Sequence, residues 1–248
     1  MAQDTSSTKI TKGLDDYVLL GRSGLRVSPL CLGTTTFGEQ WGIGSNKEEA
    51  KKVFDLYYEK GGNFFDTANV YNFGESERFL GDYVSDKRSD VVVATKYTIN
   101  TTAMQTDKRL NPNFGGNHRK SLVENLNESL KRLNMSYIDI LYVHAFEYRT
   151  PIEEIMRSLD DVVRSGKVLY IAASDVPFWV LTRSNTIAEL RGWSPFIGLQ
   201  TRYKDEKKLG ILDEVIAISK ETPVQVAMNW VQQKPGITSS LIAAGSAT

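Results

Sequence analysis

The sequence predicts an α/β protein, a parallel sheet covered by helices and wound either as a (β/α) barrel or as a doubly wound sheet. Three observations carry this. Short apolar runs without polar alternation recur along the chain, the pattern of strands buried on both faces. Between them lie longer stretches whose apolar residues repeat at helical spacing, so strand and helix alternate as in successive βα units. The length of 248 residues suits one barrel domain, which takes roughly 250.

Residues 1–14, rich in Ser, Thr and Lys and without period, read as a flexible tail, which leaves 15–248 as a single domain. Residues 17–20 and 25–28, joined across Gly21-Arg22-Ser23-Gly24, form a hairpin that would plug one end of a barrel. The first core strand is 30–33. Ser45-Asn46-Lys47-Glu48 then has capping-box spacing for a helix that buries Ala50, Val53, Phe54, Tyr57 and Tyr58, and Gly61-Gly62 supplies its left-handed stop. A second strand at 63–65, a short helix at 75–83 and a third strand at 91–95 follow. Leu122, Leu126, Leu130 and Leu133 stripe the helix ahead of the fourth strand, 138–143.

Thr150-Pro151-Ile152-Glu153 combines a capping box with proline at the first helical position, ahead of Ile155, Leu159, Val162 and Val163, and Gly166 ends that helix. The fifth strand is 168–173, Pro177 opens another helix, and the sixth strand is 197–200. The regularity then fails. Two helical patterns follow in succession, at 209–219 and 222–230, and a strand returns only at 240–243, so seven core strands are readable.

Composition narrows the function. The 30 basic and 30 acidic side chains cancel, which leaves no net field to draw the chain to nucleic acid or an anionic membrane and favours small-molecule chemistry. The lone cysteine, Cys31, has no intrachain disulfide partner, as suits a reducing compartment. With no leader pattern and no apolar run near twenty residues, the expected location is the cytoplasm, and the expected state a monomer. The sequons at Asn100, Asn127 and Asn134 are then expected to stay unmodified.

Four polar residues stand just past the C-terminal ends of successive strands: Asp66, Tyr71 five residues later, Lys96 and His144. In a (β/α) barrel, active-site groups converge at that end. Together they can deliver a proton to a carbonyl. A free phenol, with a pKa near 10, is a poor acid at neutral pH unless a cation favours its ionised form. Lys96 can do this for Tyr71, Asp66 can hold Lys96, and His144 can donate to the carbonyl oxygen and orient it.

The motifs around these residues closely resemble those of aldo-keto reductases. They are Phe64-Phe65-Asp66-Thr67-Ala68-Asn69-Val70-Tyr71, Thr95-Lys96 and Tyr142-Val143-His144. Further matches are residues 21–28, 129–133 with Tyr137-Ile138-Asp139, and 166–171, so the resemblance runs from about 15 to 203 and resumes near 212. Gly115-Gly116-Asn117-His118-Arg119-Lys120 is most similar to the branch with aryl-alcohol dehydrogenase-like and potassium-channel β-subunit-like members. The resemblance implies a (β/α)8 TIM barrel, here incomplete. It also implies reversible reduction of an aldehyde or ketone, with Asp66, Tyr71, Lys96 and His144 catalytic and Tyr71 the general acid. NADPH would lie extended across the barrel mouth, consistent with the lack of a GxGxxG fingerprint.

By the same resemblance Ser174, Asp175 and Gln200 would hold the nicotinamide carboxamide and Tyr203 would stack on its ring. Gly33, Thr34, Thr35, Asp66, Gly245 and Ser246 would complete the cofactor contacts. Family members usually carry Asn where Asp175 stands, and a carboxylate accepts from an amide but cannot donate to it. Trp41 and Phe73, in the loops after the first two strands, are expected as substrate-pocket walls. Relative to the family, the segment after Tyr203 with the sixth helix, seventh strand and a substrate loop is missing, and the sequence stops at Thr248 before the residues that read the 2′-phosphate. The alternatives are a nucleotide-binding regulatory or sensor subunit with little turnover, and a shortened chain without a stable cofactor site.

Overall fold

A computed structural model of the chain describes residues 13–104, 111–201, 228 and 231–247. The helical pattern at 209–219 and most of that at 222–230 lie outside the described residues, as does Tyr203. A two-stranded antiparallel hairpin, β1 (Val18–Leu19) and β2 (Arg26–Val27), precedes a sheet of seven strands. These are β3 (Leu30–Gly33), β4 (Phe64–Asp66), β5 (Val92–Tyr97), β6 (Ile138–Val143), β7 (Val168–Ser174), β8 (Phe196–Gln200) and β9 (Ser240–Ala243). They are the seven strands read from the sequence.

The strand order is β8-β7-β6-β5-β4-β3-β9, and every pairing is parallel. A doubly wound sheet reverses its order at a switch point. Here each strand from β3 to β8 adds to the same side of the one before, and β9 returns beside β3. Among the described residues that is the winding of a (β/α)8 barrel open at one seam, between β8 and β9.

Side-chain alternation along the strands separates two cores. Cys31, Phe64, Val92, Ala94, Ile140, Tyr142 and Ala172 point inward and pack with Leu20 and Val27 of the hairpin, which closes the N-terminal end as expected. Leu32, Phe65, Val93, Leu141, Val143, Ile171 and Ala173 point outward against helices. Those helices are α1 (Lys47–Glu59), α2 (Glu75–Val84), α3 (Arg119–Leu133), α4 (Ile152–Arg164) and α5 (Phe178–Arg191). None of the described helices is long and apolar enough to cross a membrane.

Two expected helix starts are corrected. The cap of α1 is Asn46 rather than Ser45, its side chain accepting from the Glu49 amide at 3.0 Å. Ser45 instead donates to the Gly245 carbonyl, a bond that ties the β3 loop to the end of β9. At α4 the cap position is Pro151 itself, and the Thr150 hydroxyl turns back to Glu147 instead of capping the helix. Pro177 occupies the same cap position at α5. At α4 and α5 the extended ψ of the proline starts the helix one residue later than the motif reading expected.

Candidate active site

The period-two rule that fills the barrel interior also builds its mouth. Beyond Phe64 the next inward position on β4 is Asp66, beyond Val92 and Ala94 on β5 it is Lys96, and beyond Ile140 and Tyr142 it is His144. Ala172 on β7 is likewise followed by Ser174. The register sets Lys96 beside Tyr142 and Ser174 beside Gln200. Polar groups from four neighbouring strands therefore converge at one level, the C-terminal end.

Lys96 and Asp66 are fully buried and form a direct ion pair. The ammonium also donates to the Thr67 carbonyl at 3.0 Å and lies 3.4 Å from the Tyr71 hydroxyl. Burial alone would depress the pKa of Lys96, but Asp66 and Tyr71 outweigh it and raise it, which keeps the side chain a cation. Burial pushes the Asp66 carboxyl up, with Lys96 and the Gln200 amide opposing. A lysine at a strand end usually reaches for water, whereas this one is held inside by its carboxylate and carbonyl partners.

Tyr71 opens a four-residue turn, Tyr71–Gly74, that enters α2. It is half-buried, and its ring stands edge-on to His144, with centroids 6.0 Å apart and an interplanar angle of 84°. On its other side Trp41 stands edge-on at 6.2 Å, and Trp41 in turn meets Phe73 at 6.4 Å. The four expected catalytic residues and the expected wall residue Trp41 thus share one mouth. Phe73 touches Trp41 but also lines a surface groove with Arg78, Phe114 and Arg132, so it stands at the edge of the site.

The residues expected to hold a dinucleotide flank the open seam. On one side the Ser174 hydroxyl and the Gln200 amide oxygen lie 3.3 Å apart, and the Asp175 amide donates to the Gln200 carbonyl at 3.0 Å. Asp175 is exposed and left-handed, with φ of 48°, a conformation Asp tolerates, and it does not cap α5. A hydroxyl, an amide and a carboxylate side by side at the rim match the donors and acceptors of a carboxamide. On the other side Gly33 pairs with both Asp66 and Ala243, and Thr36 donates to Ala244 at 2.6 Å, which brings Thr35, Gly245 and Ser246 to the same loop cluster. Thr34 is fully buried, its hydroxyl bonded to Ser76 and the Asp66 carbonyl, so its side chain braces the strand end and does not reach the mouth.

Some residues at this mouth escaped the sequence reading. Tyr142 presents its ring to Lys96 at 5.5 Å, and burial pushes its phenol well above the ordinary range, so it stays neutral beside the cation. Its place two residues before His144 on the same face was the available signal. Asn117, buried, donates to Thr98 and the Ala145 carbonyl and accepts from the Glu147 amide. Thr98, at φ of 105°, lies with its hydroxyl 3.3 Å from the His144 amide, so Asn117 braces the loops that carry Lys96 and His144. Phe146 and Tyr148, on the loop after β6, and Trp179, in the first turn of α5, form an aromatic cluster, with the Phe146 centroid 4.9 and 6.1 Å from the other two.

The family model described as "Aldo/keto reductase family" matches residues 29–205, which span β3 to the end of β8 and include Asp66, Tyr71, Lys96, His144, Ser174 and Gln200. Norsolorinic acid reductase of Aspergillus flavus is 43% identical over 72% of this chain and 47% of its own length. An aryl-alcohol dehydrogenase of Pestalotiopsis microspora is 41% identical over 82% of this chain and 55% of its own. Norsolorinic acid reductase B of Dothistroma septosporum is 45% identical over 71% and 46%. The chain spans about half the length of these curated relatives. With a family match covering most of the sequence, a barrel winding, and the Asp, Tyr, Lys and His groups gathered at the C-terminal end of the strands, this chain belongs to the aldo/keto reductase family.

Proposed function

We propose that this chain takes part in NADPH-dependent reduction of an aldehyde or ketone, and in the reverse oxidation of the alcohol, with Tyr71 as general acid. One observation carries the reading: the Tyr71 hydroxyl lies 3.4 Å from a fully buried ammonium that is itself fixed by a carboxylate. When bound, the reduced nicotinamide supplies the hydride. Ser174, Asp175 and Gln200 would hold its carboxamide, with Gly33, Thr35, Gly245 and Ser246 across the seam. As the carbonyl carbon is reduced, its oxygen takes the proton from Tyr71, and Lys96 stabilises the phenolate left behind. His144 orients that oxygen. Asp66 keeps Lys96 in place and charged.

Trp41, edge-on to Tyr71, gives the mouth an aromatic wall, which favours an aromatic carbonyl substrate. The relatives named for aryl alcohols and for norsolorinic acid point the same way. The proposal includes a cytoplasmic monomer in which 15–248 form the barrel domain. Purified protein with NADPH and an aromatic aldehyde should lose absorbance at the reduced-nicotinamide band. Tyr71→Phe should lower that rate by about 10²–10⁴-fold, the usual scale of general acid catalysis. Equal rates from the two proteins would remove Tyr71 from the role.

A further inference from the structure

The turn that presents Tyr71 is unusual for its backbone. Asn72 (φ 45°, ψ 42°) and Phe73 (φ 53°, ψ 37°) are both left-handed, and Gly74 follows at φ of 86°. Glycine adopts this region freely and Asn tolerates it, but a residue such as Phe does so only when its surroundings compel it. Something must hold this turn. The structure supplies one candidate, the Asn72 side chain, which is fully buried and points away from the strand ends into the loop after β3.

There its amide nitrogen donates to the Thr35 carbonyl at 3.0 Å and the Phe37 carbonyl at 3.2 Å, and its oxygen accepts from the Trp41 amide at 3.1 Å. Both of its N–H groups and one lone pair are used. Packing is equally close. A Cβ on Gly38, which sits at φ of +116°, would come within 2.8 Å of Asn72 Cβ and 2.6 Å of a Glu75 carboxylate oxygen. That same oxygen accepts from the Glu39 amide at 3.0 Å. The loop 35–41 and the turn 71–75 are therefore clamped into one body by two side chains, with no room at Gly38 for anything larger.

We infer that Asn72 is a positioning residue: a buried clamp that sets the Tyr71 hydroxyl over Lys96 and the Trp41 ring beside it in a single arrangement. The chemical part of this inference rests on the reductase reading, and the geometric part does not. Without the clamp, the left-handed pair has no reason to persist, and any relaxation toward ordinary backbone angles rotates the Tyr71 ring away from the ammonium. A displacement of about 1 Å at a reacting group can cost on the order of 10²-fold in rate.

Two substitutions separate the tether from the backbone. Asn72→Gly still permits the left-handed conformation, so it adds no backbone strain of its own, and removes all three hydrogen bonds that hold it. Asn72→Asp keeps the shape and the acceptor for Trp41 but turns its other oxygen against two carbonyls. Each should lower kcat by about 10–100-fold with KM for the aldehyde changed by less than about threefold. In a Tyr71→Phe background the same substitutions should change the residual rate by less than about threefold, because the clamp acts through the phenol. Acrylamide quenching of Trp41, taken as the difference between each protein and its Trp41→Phe counterpart, should rise in both variants.

Equal rate losses in the two backgrounds, or unchanged quenching with an unchanged rate, would overturn the clamp. If the unsubstituted protein reduces no carbonyl with NADPH, the reductase reading fails by itself, and the Trp41 quenching difference still decides whether Asn72 holds the loop. Gly38→Ala, whose Cβ would press on both Asn72 and the Glu75 carboxylate in a backbone region that strains alanine, should also raise the quenching, by loosening the same clamp from the loop side.

Discussion

Lys96 and Asp66 are charged groups with no exposed surface, and such a pair is defined by what happens when half of it is removed. Asp66→Asn leaves a buried ammonium without its counter-charge and should cost about 3–5 kcal/mol of stability, read from urea midpoints at pH 7. Replacing both, as Asp66→Leu with Lys96→Met, should recover most of that loss while abolishing turnover. If the single and double variants are equally unstable, the pair is not acting as a unit. These residues were legible in sequence because each lies one inward step beyond an apolar interior residue of its own strand, so a two-residue period points them to the mouth. Asn72 and Asn117 were not. Their partners are main-chain groups of other loops, reached only after the chain has folded, and nothing in the spacing of an asparagine announces that. Thr34 shows the converse: it has the right position for a cofactor contact, yet its hydroxyl is taken by Ser76.

Elements were legible wherever periodicity alone decides them, and less so where a single hydrogen bond does. The Leu122, Leu126, Leu130 and Leu133 stripe is buried as read, but the capping boxes at Ser45 and Thr150 were displaced, by a long-range partner at Gly245 and a local one at Glu147. A long-range tie like that of Ser45 can be tested at α4. Asp160, buried, accepts from the Ser194 amide at 2.9 Å and its hydroxyl at 3.1 Å, and from Arg164 at 2.5 Å, joining the helix to the segment that enters β8. Burial by itself would raise this carboxyl, but Arg164 and Ser194 outweigh it and hold the pKa below the ordinary value. A group depressed in the folded state contributes stability above its unfolded pKa, about 3.9, and loses that contribution as the pH falls through the folded value. Asp160→Asn should therefore cost about 1–2 kcal/mol at pH 7, and the gap between the two proteins should narrow below about pH 4. A gap independent of pH would assign the cost to packing instead of charge.

At the scale of the molecule the governing feature is the open seam. Among the described residues β8 and β9 each pair with one neighbour only, and both are less buried than β4, β5 and β6 at the opposite side of the sheet. The proposed cofactor contacts divide across this seam, Ser174, Asp175 and Gln200 on the β7 and β8 side, Gly33, Thr35, Gly245 and Ser246 on the β3 and β9 side. A ligand that bridges the two edges stabilises the native state alone, because the unfolded chain offers no such pair of surfaces. At a free concentration near one hundred times Kd the gain is about 2.7 kcal/mol, which for a chain of this size corresponds to a rise in melting temperature of about 5–10 °C. Gln200→Ala should reduce the rise, since it removes a contact from one side of the bridge, and hydrogen exchange should slow at the amides of both β8 and β9. Slowing at one edge alone would mean that the nucleotide binds without spanning the seam. A rise in melting temperature without turnover on any carbonyl would favour the sensor role over the reductase, whereas no rise at saturating NADPH would leave this chain without the cofactor site on which both roles depend.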